Sequence, residues 1–241
     1  MAEETKESPK RRGSCLGKLA SLITFAGVAG LGVAVWFIAQ PQDLSDLKGH
    51  APSAASSRTR DLNQVLKNAV NQSFPLSLTE EEINLYLRQT LAAKQGGLLE
   101  KYVTLDGARV RLEKDRAELI LLRTVAGHQI TTSMYFRVEQ TIELNDTSMT
   151  HIIRDGGTFF PQVPDTVLAQ KVVKGGRFGQ LVVPQGFLIL ALPSFENLAK
   201  AYESELNHAF REMARISIEK GKLVLDPRPG GSALPEADGN F

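Results

Sequence analysis

An uncharged, apolar run extends from Leu19 to Ala39, close to the start of the chain. A helix of these 21 residues, at about 1.5 Å per residue, is roughly 30 Å long, the thickness of the hydrocarbon core of a bilayer. The run therefore predicts a single transmembrane helix over 19–39. Gly32 and Ala34, the small residues that would suit a signal-peptidase site, lie inside the run, so we expect the helix to stay uncleaved as a signal anchor.

Two amphipathic helices are predicted after this run. Residues 40–58 are rich in Pro, Ala and Ser and show no period, which is typical of a flexible, solvated linker. From Leu62 to Ala69 the apolar residues recur at i, i+3, i+4 and i+7, the spacing of one buried helix face. A second helix is predicted to begin after Thr79, because Thr79 and Glu82 form a capping box.

Across residues 102–160 the spacing changes to two, which indicates antiparallel strands. In the stretch 129–145 apolar and polar side chains alternate, so Thr131 and Ser133 are expected to face water. Residues 119–122 are all apolar, which predicts a central strand covered on both sides. A strand as long as 129–145 must twist or curl, so the predicted sheet is curved. Turns are expected at Asp106-Gly107, Ala126-Gly127 and Asn145-Asp146.

A long helix and a hairpin close the predicted domain. Ser194 is placed to cap a helix whose apolar residues keep a helical period as far as Met213. Residues 216–225 alternate around a glycine, as in a hairpin, and the Gly, Pro and Ala content of 228–241 predicts a disordered tail. The predicted fold class is α+β: a single N-terminal transmembrane helix and then, over 59–227, a curved antiparallel sheet packed against two to four helices.

Basic residues are concentrated in the segment 1–18, before the apolar run. Lys10, Arg11, Arg12 and Lys18 precede the run, whereas 40–58 carries only Lys48 and Arg58. This bias predicts a cytoplasmic N-terminus and an extracytoplasmic domain, in the periplasm or at the cell exterior. With 28 basic and 27 acidic residues the formal net charge is only +1, which disfavours nucleic acid as a partner.

The sequence offers no recognisable catalytic or metal-binding motif. His50, His128, His151 and His208 are scattered, and none forms an i, i+4 pair. A hydrolase would need His128 and His151 to converge with a carboxylate such as Asp155. The single cysteine, Cys15, precedes the apolar run and leaves the exported part without thiolates. We therefore predict no enzyme activity, no catalytic residue, no metal and no cofactor.

Two sets of residues are candidates for binding. Apolar residues from short blocks are hypothesised to form a groove for an acyl chain or for the apolar segment of a partner: Phe159, Phe160, Leu181, Val183, Phe187 and Leu190. In the transmembrane helix, small residues recur at every fourth position, a spacing that lets two helices approach closely and would support a homodimer: Ala26, Gly30 and Ala34.

Several segments together resemble the YpmS-like family of membrane-anchored bacterial proteins. These are the N-terminal anchor, the helix opening SLTEEEINLYL at 77–87, the segment GQLVVPQGFLI at 179–189 with its Gly-x-Leu-x-x-Pro pattern, and the closing hairpin. The resemblance implies an extracytoplasmic domain with a curved sheet against helices and an unknown activity. The chain departs from the family by the long helix around Tyr202.

Three functional hypotheses follow. The first is a non-catalytic, membrane-anchored cell-envelope protein that binds a lipid or another apolar ligand in a groove of its extracytoplasmic domain. The second is a structural or assembly subunit of a membrane complex, with a membrane-protein partner. The third, a hydrolase of the envelope, requires the histidine convergence described above. The membrane lipid bilayer is a partner in the first two hypotheses.

Overall fold

The computed structural model describes residues 15–47, 60–94, 104–125, 127–142, 148–154 and 175–228. The helices are α1 (Cys15–Ala39), α2 (Leu62–Gln72), α3 (Glu80–Lys94), a 3₁₀ helix (Gln185–Leu190), α4 (Leu192–Ala201) and α5 (Glu203–Phe210). The strands are β1 (Leu76–Thr79), β2 (Thr104–Glu113), β3 (Arg116–Val125), β4 (His128–Ile142), β5 (Ser148–Arg154), β6 (Gly176–Phe178), β7 (Leu181–Val183), β8 (Arg215–Glu219) and β9 (Lys222–Asp226). This combination of helices with antiparallel sheets confirms the predicted α+β class.

The strands form two antiparallel sheets rather than one. Strands β2-β3-β4-β6-β7 follow one another in the larger sheet, with β5 also paired to β4, and β1-β9-β8 form the smaller one. Strand β4 is long enough to pair with β3 along 128–136 and with β5 along 136–142. The closing hairpin is confirmed as β8 and β9, and β1 adds a third strand to it.

Of the three predicted turns, one is confirmed and one is wrong. Gly127 has a φ of +80° in the turn between β3 and β4, a conformation that glycine adopts without strain. Asp106 and Gly107 instead lie within β2, where the pairing with β3 shifts at a bulge. The dipeptide 145–146 lies outside the described residues.

The capping box of α3 is confirmed. The hydroxyl of Thr79 accepts the Glu82 N–H at 3.2 Å, and the Glu82 carboxylate accepts the Thr79 N–H at 3.0 Å. The neighbouring Glu80 is buried, and its carboxylate accepts the N–H of Leu112 in β2. Asn84 bonds to both the N–H and the carbonyl of Val110. These side chains cover the free edge of β2, which would otherwise be open to pairing with another chain.

The single long helix predicted from Ser194 is two helices. Helix α4 begins at Leu192, and Ser194 does not cap it. The break falls at Tyr202, whose φ of −115° and ψ of 26° leave the helical region. The ring of Tyr202 packs edge-on against Tyr86, with 6.3 Å between centroids, which fixes the point where the chain bends.

The predicted flexible linker is structured in its first part. Gln42, Leu44 and Leu47 are buried, and the two leucines pack against Ile120 and Leu122 of β3. The opposite face of β3 packs in the main core through Leu121. The central strand is therefore covered on both sides as predicted, and part of the predicted linker is one of the covers. Residues 48–58 lie outside the described residues.

Helix α1 is long and apolar enough over 17–39 to cross a membrane, and its side chains are largely exposed. Exposed apolar residues all around a helix are unfavourable in water and favourable in lipid. The chain is thus compatible with a single-pass membrane protein or a signal anchor.

Candidate functional site

A large apolar cavity lies between the inner face of the six-stranded sheet and helices α2 to α5. Its volume is about 390 Å³, within the range of pockets that bind small ligands. The floor comes from β2, β3 and β4, and the smaller sheet adds one side through Leu78, Ile218 and Leu223. We call this space the apolar cavity.

The period-two pattern of the strands builds the floor. Leu119 pairs with Met134 across β3 and β4, and Ala117 pairs with Phe136, so these side chains point to the same face. Val138 extends the floor along β4. The alternation of apolar residues in 129–145 thus correctly predicted this face.

The roof of the cavity consists of apolar side chains that recur with the helical period. Leu62 and Leu66 of α2 face the cavity together with Leu87 of α3. Phe195 of α4 and Leu206 of α5 complete the roof.

Two hydrogen bonds join polar side chains in and beside the wall. The hydroxyl of Tyr86 donates to a carboxylate oxygen of Glu205 at 2.7 Å. Tyr202 and Thr90 share a hydrogen bond of 2.8 Å between their hydroxyls. Burial, together with the carboxylate, raises the pKa of Tyr86, and burial raises the pKa of Tyr202. Both phenols therefore stay neutral at physiological pH.

The cavity opens beside β5. Ile152 lines the cavity although it is exposed to solvent, and so do the exposed Arg154 and Glu196. Exposed lining residues mark a mouth at this point. The mouth therefore carries polar groups, whereas the interior is apolar.

None of the four predicted groove residues that the structure describes lines this cavity. Val183 is buried in the core, Leu181 is partly buried against it, and Phe187 and Leu190 are exposed on the 3₁₀ helix. Phe159 and Phe160 lie outside the described residues. The four described members are thus divided between the core and the surface, and the groove stays a prediction.

A second group of side chains, which the sequence pattern did not indicate, fills the outer face of the sheet. The fully buried carboxylate of Glu118 accepts hydrogen bonds from Gln42 at 3.0 Å, from Ser133 at 2.5 Å and from Arg111. Arg111 also bonds to Asp46 at 2.9 Å. We call Glu118, Gln42, Ser133 and Arg111 the Glu118 cluster.

The prediction that Thr131 and Ser133 face water is wrong. Both are buried beneath residues 41–47, and the hydroxyl of Thr131 accepts the N–H of Gln42 at 2.8 Å. Residues 41–47, which cover them, are distant in sequence, so the local alternation does not indicate this burial. The cluster fastens the segment after α1 to the sheet.

The end of α1 is bonded to the turn between β6 and β7. The N–H of Gln180 donates to the carbonyl of Phe37 at 3.0 Å. A Cβ atom at Gly179, whose φ is +56°, would lie 2.4 Å from the carbonyl oxygens of Ile38 and Gln40. Only glycine fits this close approach. Helix α1 and the sheet therefore form a close, specific contact.

The small residues of α1 are placed unequally. Ala26 and Gly30 are exposed, and a Cβ atom at Gly30 would meet nothing within 4 Å. Ala34 is partly covered, as are Phe37 and Ile38. Self-association through this stripe stays a prediction.

His128 and His151 do not converge. His128 is the first residue of β4. His151 lies on β5 and pairs with Glu139 of β4, which is eleven residues further along β4 than His128. At about 3.3 Å per residue they are roughly 36 Å apart along the strand. His208 bonds to Glu212 at 2.8 Å, and His50 and Asp155 lie outside the described residues. Among the described residues there is no cluster of three or more His, Cys, Asp or Glu side chains that could hold a metal.

Comparison of the sequence with known protein families and with curated proteins finds no match. The resemblance to the YpmS-like family therefore stays a prediction, and the geometry of the chain itself carries the functional argument.

Proposed function

We propose that this protein is a membrane-anchored, non-catalytic protein of the cell envelope that binds an acyl chain in its apolar cavity. The observation that carries the proposal is the cavity of about 390 Å³, whose lining is almost entirely aliphatic and aromatic. The polar hydroxyls in its wall are already hydrogen-bonded within the protein, so the interior favours a ligand without polar groups.

An empty apolar cavity of this size is energetically unfavourable, because the side chains of its walls lack the dispersion contacts that a ligand would supply. Water gains few hydrogen bonds against apolar walls. An acyl chain would instead gain about 0.8 kcal/mol for each buried methylene.

The mouth of the cavity suits the head group of an amphiphile. The exposed Arg154 and Glu196 present one cation and one carboxylate there, so a polar head group could pair with either charge and remain hydrated. The anchor supplies proximity, because α1 holds the domain next to the bilayer from which such a ligand would come. The basic residues before α1 support an extracytoplasmic domain, and a reporter fused after Phe241 should be active only outside the cytoplasm.

A photoactivatable fatty acid tests the cavity. The full-length protein in vesicles is illuminated with the probe, and crosslinked peptides are identified by mass spectrometry. We expect crosslinks in peptides from α4, α5 and β4, in addition to α1. Crosslinks confined to α1 would reject the cavity as the binding site.

Leu119→Trp is the variant to compare with the parent protein in the same crosslinking experiment. The indole would project from the floor into space that is open in the structure, so it should occupy part of the cavity and obstruct an acyl chain without overpacking the core. Crosslinking to α4 and α5 should fall strongly, while that to α1 persists. Leu22→Trp, on an exposed position of α1, should leave both unchanged.

A further inference from the structure

The 3₁₀ helix and the strand before it present exposed apolar side chains. Val182 is 37% exposed, Phe187 48%, Ile189 65% and Leu190 82%. We call these four residues the apolar ridge. The surrounding stretch 178–195 contains no charged residue. Several large apolar side chains exposed within nine consecutive residues are typical of a contact with a protein or a membrane.

The ridge is held in a fixed position on the sheet. Leu188, between the exposed residues, is fully buried. Its side chain lies over Gly176 of β6, where an added Cβ atom would be 2.8 Å from the leucine methyl. The 3₁₀ helix is therefore packed on one side, and its other side presents Phe187, Ile189 and Leu190 outward.

The ridge follows directly after the contact between the sheet and the end of α1. Gln180 donates to the carbonyl of Phe37, and Val182 lies two residues beyond it, at most about 7 Å along the chain. Helix α1 is apolar over 23 residues, about 35 Å, which exceeds a hydrocarbon core of about 30 Å. Phe37 and Trp36 thus lie at the level of the membrane boundary, where aromatic residues are enriched.

We propose that the apolar ridge inserts into the head-group boundary of the bilayer that α1 spans, beside the point where α1 leaves it. The proposal rests on the membrane anchoring proposed above but not on the ligand of the cavity. A membrane fits better than a protein partner because the ridge continues from an anchor that is already docked on the same turn. The ridge and α1 together would fix the orientation of the domain on the membrane.

Site-specific fluorescence tests the contact in the full-length protein. In a Cys15→Ser background, Leu190→Cys is labelled with an environment-sensitive fluorophore. The protein is reconstituted into vesicles of phosphatidylcholine and phosphatidylglycerol with or without lipids that carry a quencher near the head group. Lys220→Cys is the control, because Lys220 is exposed and its neighbour Gly221 bonds to Leu112 of β2, at the opposite edge of the sheet from β7.

We expect blue-shifted emission at position 190 and a loss of fluorescence to the lipid-borne quencher several times larger than at position 220. Equal, weak quenching at both positions would overturn the proposal. A blue shift at position 190 without quenching would also overturn it, because it would indicate a protein contact. Leu190→Asp should abolish any membrane contact of the ridge yet leave fatty-acid crosslinking in the cavity unchanged, so the two proposals fail separately.

Discussion

Replacement of the buried Glu118 by glutamine should loosen the junction between α1 and the domain. The substitution keeps the shape of the side chain but exchanges one acceptor oxygen for an amide donor. That donor must face either Arg111 or the pair Ser133 and Gln42, all of which donate to Glu118 in the structure. Either orientation leaves a buried hydrogen bond unmade and one cation less well neutralised.

The expected loss of stability follows from the burial of the ion pair between Glu118 and Arg111. Breaking a buried ion pair by removing one partner typically costs about 3–5 kcal/mol. Arg111 keeps its bond to Asp46, so we expect the lower end, about 3 kcal/mol. For a domain of this size, that loss lowers the Tm by roughly 6–12 °C.

Unfolding followed by circular dichroism in detergent micelles measures the change, with Glu113→Gln as the matched control. Glu113 pairs with Arg116 at a partly exposed site, where a pair contributes about 1 kcal/mol or less. Amide exchange of residues 41–47 should also accelerate in Glu118→Gln alone. If the two variants were equally stable and equally protected, the assigned role of the Glu118 cluster would be wrong.

Three further changes test separate parts of the fold. Thr79→Ala removes the capping box and should lower the free energy of unfolding by about 1 kcal/mol in urea titrations, whereas a stability equal to that of the parent would reject the assigned cap. Gly179→Ala should lower the free energy of unfolding by at least about 1–2 kcal/mol, because the backbone at this position is left-handed. The added methyl group should also clash with the carbonyls of α1 and speed proteolysis between α1 and the domain. Unchanged cleavage would argue against the contact between α1 and the sheet. Arg228 holds the pKa of Asp226 below its usual value, so the ion pair stabilises the fold at neutral pH and this stabilisation is lost as the pH falls through the folded-state pKa. Asp226→Asn should therefore be slightly less stable than the parent at pH 7 and equally stable in strong acid. A difference that persists in acid would contradict the assignment.

The inner face of the domain was predictable because its patterns are local. The capping residues Thr79 and Glu82 are three positions apart, and the floor residues of β4 recur every second position. These spacings report which side chains share a face. They do not report how far the facing helices stand from the sheet, so the apolar cavity itself could not be predicted.

The outer face was mispredicted because its cover is distant in sequence. Thr131 and Ser133 carry polar side chains, and only contacts with residues 41–47 bury them. The Pro, Ser and Ala content of 40–58 indicated a spacer, although Leu44 and Leu47 within it supply the apolar cover for β3. Composition averaged over a segment conceals two residues that pack.

The residues of the predicted groove show that a short apolar block in the sequence does not reveal which of its side chains are buried. An uncharged hexapeptide such as 187–192 indicates burial, but the 3₁₀ helix buries Leu188 and exposes Leu190. The block therefore divides between the core and the surface, and no periodicity in six residues distinguishes the two sides.

Native mass spectrometry of the full-length protein, released from detergent micelles after extraction from its own membranes, tests the central claim most directly. We predict a bound mass equal to one acyl-chain amphiphile on the parent protein, lost from Leu119→Trp and retained on Leu22→Trp. A parent protein that carries no such mass, or an identical adduct on all three proteins, would contradict an acyl-chain site in the apolar cavity.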